Sequence, residues 1–180
     1  YGGTPAERVC LHAAALTFRH PVTHQSQTFT AEADFSTDAR CALRTALIDV
    51  EETNAFRLIH GASDGWPGWY VDRLGDYLLS QSDGPLSDAQ RNALEIWLRR
   101  WNLRGAYHKI LKRQIGVGPV AEQSPDWILG ERAPESFVIR ENGLSFELSF
   151  REGYSVGLFL DQRENRRRIL TGHVAAHFPL

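Results

Sequence analysis

The feature that most constrains the fold of this chain is a series of short apolar segments, each of which ends at a turn signal. Asn142-Gly143 lies in the middle of the segment 137–150, and this dipeptide is the strongest short-range signal for a tight β-hairpin. Gly75-Asp76 lies in the middle of a similar segment, 69–81. Alternating polarity around such turns is typical of paired antiparallel strands. The sequence therefore predicts two hairpins.

A long amphipathic helix is predicted between these hairpins. Ser87 is a favourable N-cap residue, and the apolar side chains that follow it recur at helical spacing, with arginines on the other face. A candidate strand follows at 106–111, so strand, hairpin and helix alternate from about 55 to 115 in a small α/β unit. The apolar face consists of Ala89, Ala93, Leu94, Trp97, Leu98 and Trp101.

The remaining segments predict further elements. A turn-like cluster around Pro21 separates two strand-like stretches, and Ser36 is a candidate N-cap for a helix. The predicted elements are paired strands at 11–18 and 27–33, a helix at 39–50, a short helical segment at 56–59, a connection rich in glycine and proline at 116–134, and a charged helix at 161–170.

Hydrophobic content, net charge, cysteine spacing and the length of apolar runs limit the class of protein to which this chain can belong. Of the 180 residues, 42% are hydrophobic, which is enough for a real core. The formal net charge is −2, so any contact with nucleic acid must come from a local basic patch. Cys10 and Cys41 have no metal-ligand spacing, and we interpret them as small buried residues of a cytoplasmic protein. No apolar run approaches the roughly 20 residues that span a bilayer, so no membrane contact is expected; a homo-oligomer is compatible with the sequence.

The first 35 residues carry one resemblance. The chain contains no methionine and begins with Tyr1, which predicts that this is not a natural start. The block LHAAALTFRHPVT at 11–23 resembles the C-terminal end of the RluA-type pseudouridine synthases. Catalysis in that family needs an aspartate nucleophile in an upstream segment that this sequence does not contain. The block is therefore interpreted as a scaffold, with Arg8 as a candidate contact to RNA phosphate.

The most specific resemblance is carried by the block TNAFRLIHGASDGWPGWYVDRLGDYLLSQ at 53–81. It is similar to the middle domain of the 5-methylcytosine rRNA methyltransferases, which precedes their catalytic domain. The same residues also have a purely structural interpretation. Gly65, Pro67 and Gly68 suit a tight turn, and Asp72 beside Arg73 can pair at the hairpin edge.

A third block, GYSVGLFLDQRENR at 153–166, resembles the entrance of the Rossmann-like catalytic domain in the same methyltransferase family. The resemblance implies closeness to the methyl donor, S-adenosylmethionine. A glutamine amide and an arginine guanidinium at a helix start can bind the carboxylate of the donor's methionine part. Without the family, a solvated basic helix explains the same residues. The candidate donor-binding residues are Gln162 and Arg163, supported by Asp161, Asn165 and Arg166.

The elements that complete such a methyltransferase are not found after this helix. The family continues into a strand and a glycine-containing loop that cradles the donor, and it later supplies a cysteine nucleophile. Residues 171–180 contain neither. This chain alone is therefore expected neither to bind the donor tightly nor to transfer a methyl group.

Candidate RNA contacts form local groups. Phosphate contacts from basic residues would make RNA affinity fall as salt rises. Trp66, Trp69 and Tyr70, in a glycine-rich turn, are candidates for stacking on unpaired bases, although aromatic residues are also core candidates. The RNA implied by the resemblance is ribosomal. The basic candidates are Arg8, Lys109, Lys112, Arg113, Arg167 and Arg168, with Arg99, Arg100 and Arg104 near the end of the long helix as further candidates.

The combined prediction is an α/β (α+β) protein in three parts. Residues 1–35 form a small β-rich piece like a pseudouridine synthase tail, and residues 36–134 form a small α/β domain that faces RNA. Residues 135–180 form a β-hairpin that leads into the first helix of a missing Rossmann-like methyltransferase domain. The predicted function is the front part of an S-adenosylmethionine-dependent RNA methyltransferase. The alternatives are a stand-alone RNA-binding module and a remnant of a pseudouridine synthase.

Overall fold

Strands predominate in this mixed α/β chain. The chain divides into two units, Tyr1–Leu43 and Arg44–Leu180. No helix in the described ranges is long and apolar enough to cross a membrane. The computed structural model describes residues 11–33, 43–44, 46–111, 124–153 and 155–173.

Several predicted positions lie outside the described residues. Residues 39–42 and 45 of the helix predicted at 39–50 are among them, as is the first part of the connection predicted at 116–134. The single residues concerned are Arg8, Cys10, Cys41, Lys112 and Arg113.

The described part of the first unit is a β-hairpin. Strands β1 (Ala15–Arg19) and β2 (Ser26–Thr30) pair antiparallel, which confirms the two predicted strands. Phe18 and Phe29 stack across the pair with ring centroids 5.8 Å apart. His12 hydrogen-bonds through its ring Nε2 to the Ala31 carbonyl oxygen at 2.8 Å, so this histidine has a structural role beside the hairpin.

The second unit is built on a five-stranded sheet in the order β3-β4-β5-β6-β7. All neighbours pair antiparallel except β5 and β6, which are parallel. A parallel pair needs a crossover connection, and the helix α1 (Asp88–Arg100) lies between β5 and β6 in the chain. The strands are β3 (Ala55–His60), β4 (Trp69–Leu74), β5 (Tyr77–Ser82), β6 (Gly105–Ile110) and β7 (Asp126–Gly130).

Local capping chemistry explains where α1 begins. The Ser87 hydroxyl oxygen accepts from the backbone N–H of Gln90, and the Gln90 side chain accepts from the backbone N–H of Ser87. This reciprocal pair is a capping box, which satisfies two N–H groups that a helix start leaves without partners. The predicted N-cap is confirmed.

Two predicted elements are wrong. The short helical segment at 56–59 is the centre of strand β3, which pairs with β4; a run of four mostly apolar residues is too short for its periodicity to separate a strand from a helix. The connection predicted at 116–134 contains strand β7, which pairs with β6 at the sheet edge. Glycine and proline content alone did not exclude an edge strand there.

The sheet is covered on both faces. One face packs against α1 through a cluster that includes Leu58, Trp69, Leu78 and Leu94. The other face carries a second cluster, to which the hairpin of β8 (Phe137–Glu141) and β9 (Leu144–Leu148) contributes. Each cluster removes apolar surface from water, which is the main favourable contribution to folding.

The β8–β9 hairpin is held in place by side chains that accept hydrogen bonds from its backbone. Asn142 and Gly143 have φ values of 51° and 76°, which are the left-handed conformations that a type I′ turn requires. The Asn54 side-chain oxygen accepts from the Arg140 N–H at 2.7 Å, and the Thr53 hydroxyl oxygen accepts from the Asn142 N–H at 3.0 Å. The predicted hairpin is confirmed, and the segment before β3 fixes its position.

A charged helix closes the described part of this unit. A 3-10 turn at Leu160–Gln162 leads into α2 (Arg163–Leu170). This confirms the helix predicted at 161–170.

A buried hydrogen-bond chain runs through the sheet. The Trp69 indole N–H donates to the Ser80 hydroxyl oxygen at 2.8 Å, and Ser80 is 3.0 Å from His108 Nδ1. His108 Nε2 lies 3.2 Å from the Gly84 carbonyl oxygen. Since a carbonyl only accepts, the proton of the neutral ring is on Nε2, and Nδ1 accepts from Ser80. Burial lowers the pKa of His108 below its ordinary value.

We expect the stability of the fold to fall as pH drops below about 6.5, because the unfolded chain then binds a proton at His108 that the folded chain resists. The loss continues until the pH has passed the lowered folded pKa. His108→Gln retains a donor for the Gly84 carbonyl but does not titrate. Its urea midpoint should therefore change less between about pH 7.5 and about pH 5.5 than that of the wild type. An equal change in both proteins would contradict this assignment.

Candidate functional site

A cleft of about 750 Å³ lies in the second unit. Residues of β3 to β6 line it together with the segment 155–164. Apolar side chains such as Leu74, Leu79, Val156 and Leu158 form part of its wall. A row of polar side chains completes the wall. The sheet contributes Arg57, Asp72, Gln81 and Lys109, and the segment 155–164 contributes Asp161, Arg163 and Glu164.

The strand register explains why the polar row lies on one face. Arg57 is paired with Asp72, and Gln81 with Lys109. Arg57 donates to both carboxylate oxygens of Asp72, at 2.7 and 3.0 Å, and Asp72 is buried. This hydrogen bonding raises the pKa of the Arg57 guanidinium above its ordinary value. The Arg57 guanidinium and the Asp72 carboxylate are therefore held in fixed positions in the wall of the cleft.

The predicted pairing of Asp72 with Arg73 is wrong. Neighbouring residues of a strand point to opposite faces of the sheet. The Arg73 guanidinium accordingly lies over the rings of Phe56 and Trp101, at 5.9 and 5.8 Å from their centroids. The partner of Asp72 is Arg57 on the adjacent strand.

Lys109 departs from its predicted place on the surface. Its exposed fraction is 8%, and its ammonium donates to the Gly153 carbonyl oxygen at 3.2 Å. Burial lowers the pKa of this side chain below its ordinary value. Lys109 is thus a wall residue of the cleft, and its interpretation as an exposed phosphate contact is corrected.

The predicted donor-binding residues divide into two groups. Asp161 and Arg163 line the cleft, and the Arg163 side chain is 26% exposed. Gln162 does not line it: its amide donates to Asp161 at 3.0 Å and its oxygen accepts from Asn165 at 2.7 Å. Gln162 and Asn165 therefore brace the start of α2.

Arg166 forms the most buried ion pair at this end of the unit. It donates to both carboxylate oxygens of Glu141 at 2.6 and 2.8 Å, and to the Phe159 carbonyl oxygen at 2.8 Å. Glu141 is 1% exposed. The arginine thus joins the β8–β9 hairpin to the start of α2. Its donors face Glu141 and the backbone, so Arg166 does not fit a ligand of the methyl donor.

The remaining basic candidates of α2 lie on its exposed side. Arg167 pairs with Glu164 at 2.9 Å, an exposed pair of the kind that contributes little to stability. Arg168 is exposed. Both side chains are accessible to a polyanion.

The aromatic candidates are mostly part of the core. Trp69 is 0% exposed, stacks on Trp97 with centroids 5.8 Å apart, and meets Trp66 edge-on at 4.7 Å. The prediction that Trp69 stacks on bases is therefore wrong. Tyr70 is half-buried, beneath the Arg57 guanidinium at 5.5 Å and against the His60 ring.

Metal chemistry has no candidate ligands in the described ranges, where no three His, Cys, Asp or Glu side chains are grouped to hold an ion. What the cleft offers is a polar row of mixed charge beside an apolar wall. Such a combination suits a ligand with apolar faces and a polar edge.

The chain is similar in sequence to known methyltransferases. No protein-family model matches the chain. A ribosomal RNA large subunit methyltransferase of Deinococcus radiodurans is 35% identical over 147 residues, which is 77% of this chain and 35% of the relative. A ribosomal RNA large subunit methyltransferase I of Aliivibrio fischeri is 33% identical over 131 residues, covering 71% of this chain and 32% of the relative.

Solved structures agree with these relatives. A crystal structure of a chain assigned as a methyltransferase, complexed with SAH, matches with a TM-score of 0.58 and 29% identity, covering 75% of this chain and 33% of that one. A chain from Streptococcus mutans, assigned as SAM-dependent, matches with a TM-score of 0.55 and 29% identity, covering 73% and 32%. The relatives of this chain are ribosomal RNA large subunit methyltransferases, and the chain spans about a third of the length of those it matches.

Proposed function

We propose that this chain is the RNA-facing front part of an S-adenosylmethionine-dependent rRNA methyltransferase. It contributes contacts to RNA and the edge of the methyl-donor site. The observation that carries the proposal is the 35% identity over 147 residues to the Deinococcus radiodurans rRNA large subunit methyltransferase. The similar structure complexed with SAH supports the choice of donor.

The donor edge is assigned to the residues that line the cleft. The Arg163 guanidinium suits the carboxylate of the donor's methionine part, and the Asp161 carboxylate suits its ammonium group. The Gln162 amide donates to the Asp161 carboxylate, and the Asn165 amide donates in turn to the Gln162 oxygen, so Asp161 is held at the helix start. The bound donor supplies the methyl group, and the part of this chain is to orient one end of it.

Finer assignments concern the modified base, the first 35 residues and the contacts to RNA. We infer a 5-methylcytosine enzyme from the resemblance of residues 53–81, and a scaffold derived from a pseudouridine synthase tail for residues 1–35. The proposed parts are those predicted from the sequence, 1–35, 36–134 and 135–180. Exposed Arg167 and Arg168 are the described candidates for RNA phosphate, and Arg8, Lys112 and Arg113 are further candidates.

The proposal predicts two binding results for the 180-residue chain. Calorimetry should detect no micromolar binding of S-adenosylmethionine, since the donor-cradling loop of the family is not among these residues. Fluorescence anisotropy should detect binding of an rRNA fragment whose affinity falls as salt rises. Micromolar donor binding would contradict the first expectation, and RNA affinity independent of salt would contradict the second.

A charge-reversal variant tests the basic residues directly. Arg167→Glu with Arg168→Glu should flatten the dependence of RNA affinity on salt by about two phosphate contacts. Arg132→Glu with Arg140→Glu changes two exposed arginines that are not RNA candidates, and it is a control with the same change of net charge. An equal loss in both double variants would show that the effect depends on net charge alone.

A further inference from the structure

The segment 155–164 of the cleft wall follows a glycine that two distant side chains hold. Gly153 is buried and has a φ of 87°, a left-handed conformation that favours glycine. Its carbonyl oxygen accepts from the Lys109 ammonium at 3.2 Å, and its N–H donates to the Ser124 hydroxyl oxygen at 3.0 Å. These two side chains lie 44 and 29 residues before Gly153 in the chain. The start of the segment is therefore fixed by long-range contacts.

The lysine makes the stronger of these two contacts. A hydrogen bond from an ionised donor is roughly twice as strong as one between neutral groups. Lys109 is 8% exposed, and burial of an ammonium group opposes folding unless its donors are bound. An apolar side chain could fill the same place in the wall without this cost. Packing alone therefore does not explain a lysine at this position of β6.

Beyond Gly153 the chain follows a close path along the core. Val156 is 8% exposed and belongs to the same buried cluster as Leu148. Gly157 has a φ of 110°, and a Cβ atom there would lie 3.1 Å from a methyl carbon of Leu148. Such close packing leaves little room for an alternative path. Since the path begins at Gly153, the location of residues 160–164 depends on the contacts of that glycine.

We propose that Lys109 is a positioning residue of the methyl-donor edge. Its ammonium holds Gly153 and thereby sets the location of the segment that carries Asp161 and Arg163. This inference rests on the proposed function, which assigns those two side chains to the donor. Lys109 acts through the backbone of the segment, since its ammonium is bonded to a carbonyl oxygen of the chain.

Each end of the segment is then held by a cationic side chain. At the far end Arg166 donates to the Phe159 carbonyl oxygen and to the Glu141 carboxylate. At the near end Lys109 donates to the Gly153 carbonyl oxygen. Loss of one contact should loosen the adjacent half of the segment more than the other half. The role of Lys109 is consequently separable from that of the ion pair at α2.

Amide hydrogen exchange of the 180-residue chain, followed by NMR, tests this role. The Ser149 N–H donates to the Val156 carbonyl oxygen at 3.3 Å, and the Gly153 N–H donates to Ser124, so these two reporter amides show whether the segment is in place. Lys109→Met removes the ammonium and keeps much of the apolar volume. Both reporter amides should exchange about tenfold faster in this variant, while the amides of β4 and β5 keep their wild-type rates.

Three comparisons separate the hydrogen bond of Lys109 from general packing. Gln81→Leu changes the register partner of Lys109 in the same wall and should leave both reporter amides at their wild-type rates. Lys109→Arg keeps a charged donor and should restore most of the protection. The Gln162 N–H, which donates to the Phe159 carbonyl oxygen at the far end, should change less than the reporter amides in Lys109→Met.

Unchanged exchange at Ser149 and Gly153 in Lys109→Met, or faster exchange throughout the sheet, would overturn the positioning role and leave the proposed function intact. Ser124→Ala keeps the ammonium and removes the other contact, so it should speed exchange at Ser149 less than Lys109→Met does; a larger effect would also overturn the role of the lysine. Titration with S-adenosylhomocysteine at millimolar concentration tests the proposed function separately. An Arg163 side-chain signal that does not shift in the wild type would contradict that function without altering the exchange results.

Discussion

The Arg166→Met variant is expected to be less stable than the wild type by about 3–5 kcal/mol. Arg166 binds both carboxylate oxygens of Glu141, which is 1% exposed. Methionine keeps much of the apolar volume but leaves a buried carboxylate without a counter-charge. Since domains are typically stable by about 5–15 kcal/mol, the loss is a large fraction of the total. Urea denaturation near neutral pH measures it.

A double variant identifies the cause. Glu141→Gln with Arg166→Met has no buried charge at this position, so it should recover most of the stability that Arg166→Met loses. Glu141→Gln alone leaves the partly exposed Arg166 without its partner and should cost less than Arg166→Met, because Arg166 can still reach water. A double variant as unstable as Arg166→Met would contradict this explanation.

This ion pair also explains how the cleft is positioned. Glu141 ends strand β8, which Asn54 holds through the Arg140 N–H. Arg166, a residue of α2, binds Glu141 and also donates to the Phe159 carbonyl oxygen. Asp161 and Arg163 lie in the chain between Phe159 and Arg166, the two residues that this hydrogen bond joins. Their location on the cleft thus depends on a hairpin that is itself anchored to the segment before β3.

The elements that were predictable from the sequence are those with short-range causes. The Asn142-Gly143 turn needs only two residues with positive φ, and the cap of α1 needs only Ser87 and Gln90. Both signals act within four residues of the chain. Their structures therefore did not depend on what packs around them.

The ion pairs in the cleft and beside it could not be predicted in this way. Arg57 and Asp72 are 15 residues apart, and Glu141 and Arg166 are 25 apart. Each pair becomes visible only when strand register or helix position is known. Interpreting 56–59 as helical also placed Arg57 in the wrong element, so its partner on β4 could not be found.

Burial was the second property that the sequence left open. Lys109 and Trp69 have residue types that suit an RNA surface, and both lie in segments with suitable neighbours. Their exposure depends on what covers each face of the sheet: α1 covers the face of Trp69, and the carbonyl of Gly153 meets Lys109 on the other. In the sequence, α1 is distant from Trp69, and Gly153 is distant from Lys109.

The Trp69→Ala variant is expected to lose about 3–5 kcal/mol of stability. Trp69 is completely buried, stacks on Trp97 and contacts Trp66, so alanine would leave a large cavity in the cluster beneath α1. Its indole N–H also donates to Ser80, whose hydroxyl would lose a partner in a buried position. Thermal and urea denaturation both report the loss.

Two matched variants separate the core role of Trp69 from a role in RNA binding. Tyr70→Ala alters the neighbouring aromatic, which is half-buried, and should cost much less stability because less surface leaves the core. Trp69→Phe keeps a ring in the cluster and removes the hydrogen bond to Ser80. It should lower stability by about 1–3 kcal/mol while the RNA affinity of the folded protein stays unchanged. A Trp69→Phe protein with wild-type stability and weakened RNA binding would show that this side chain reaches the RNA after all.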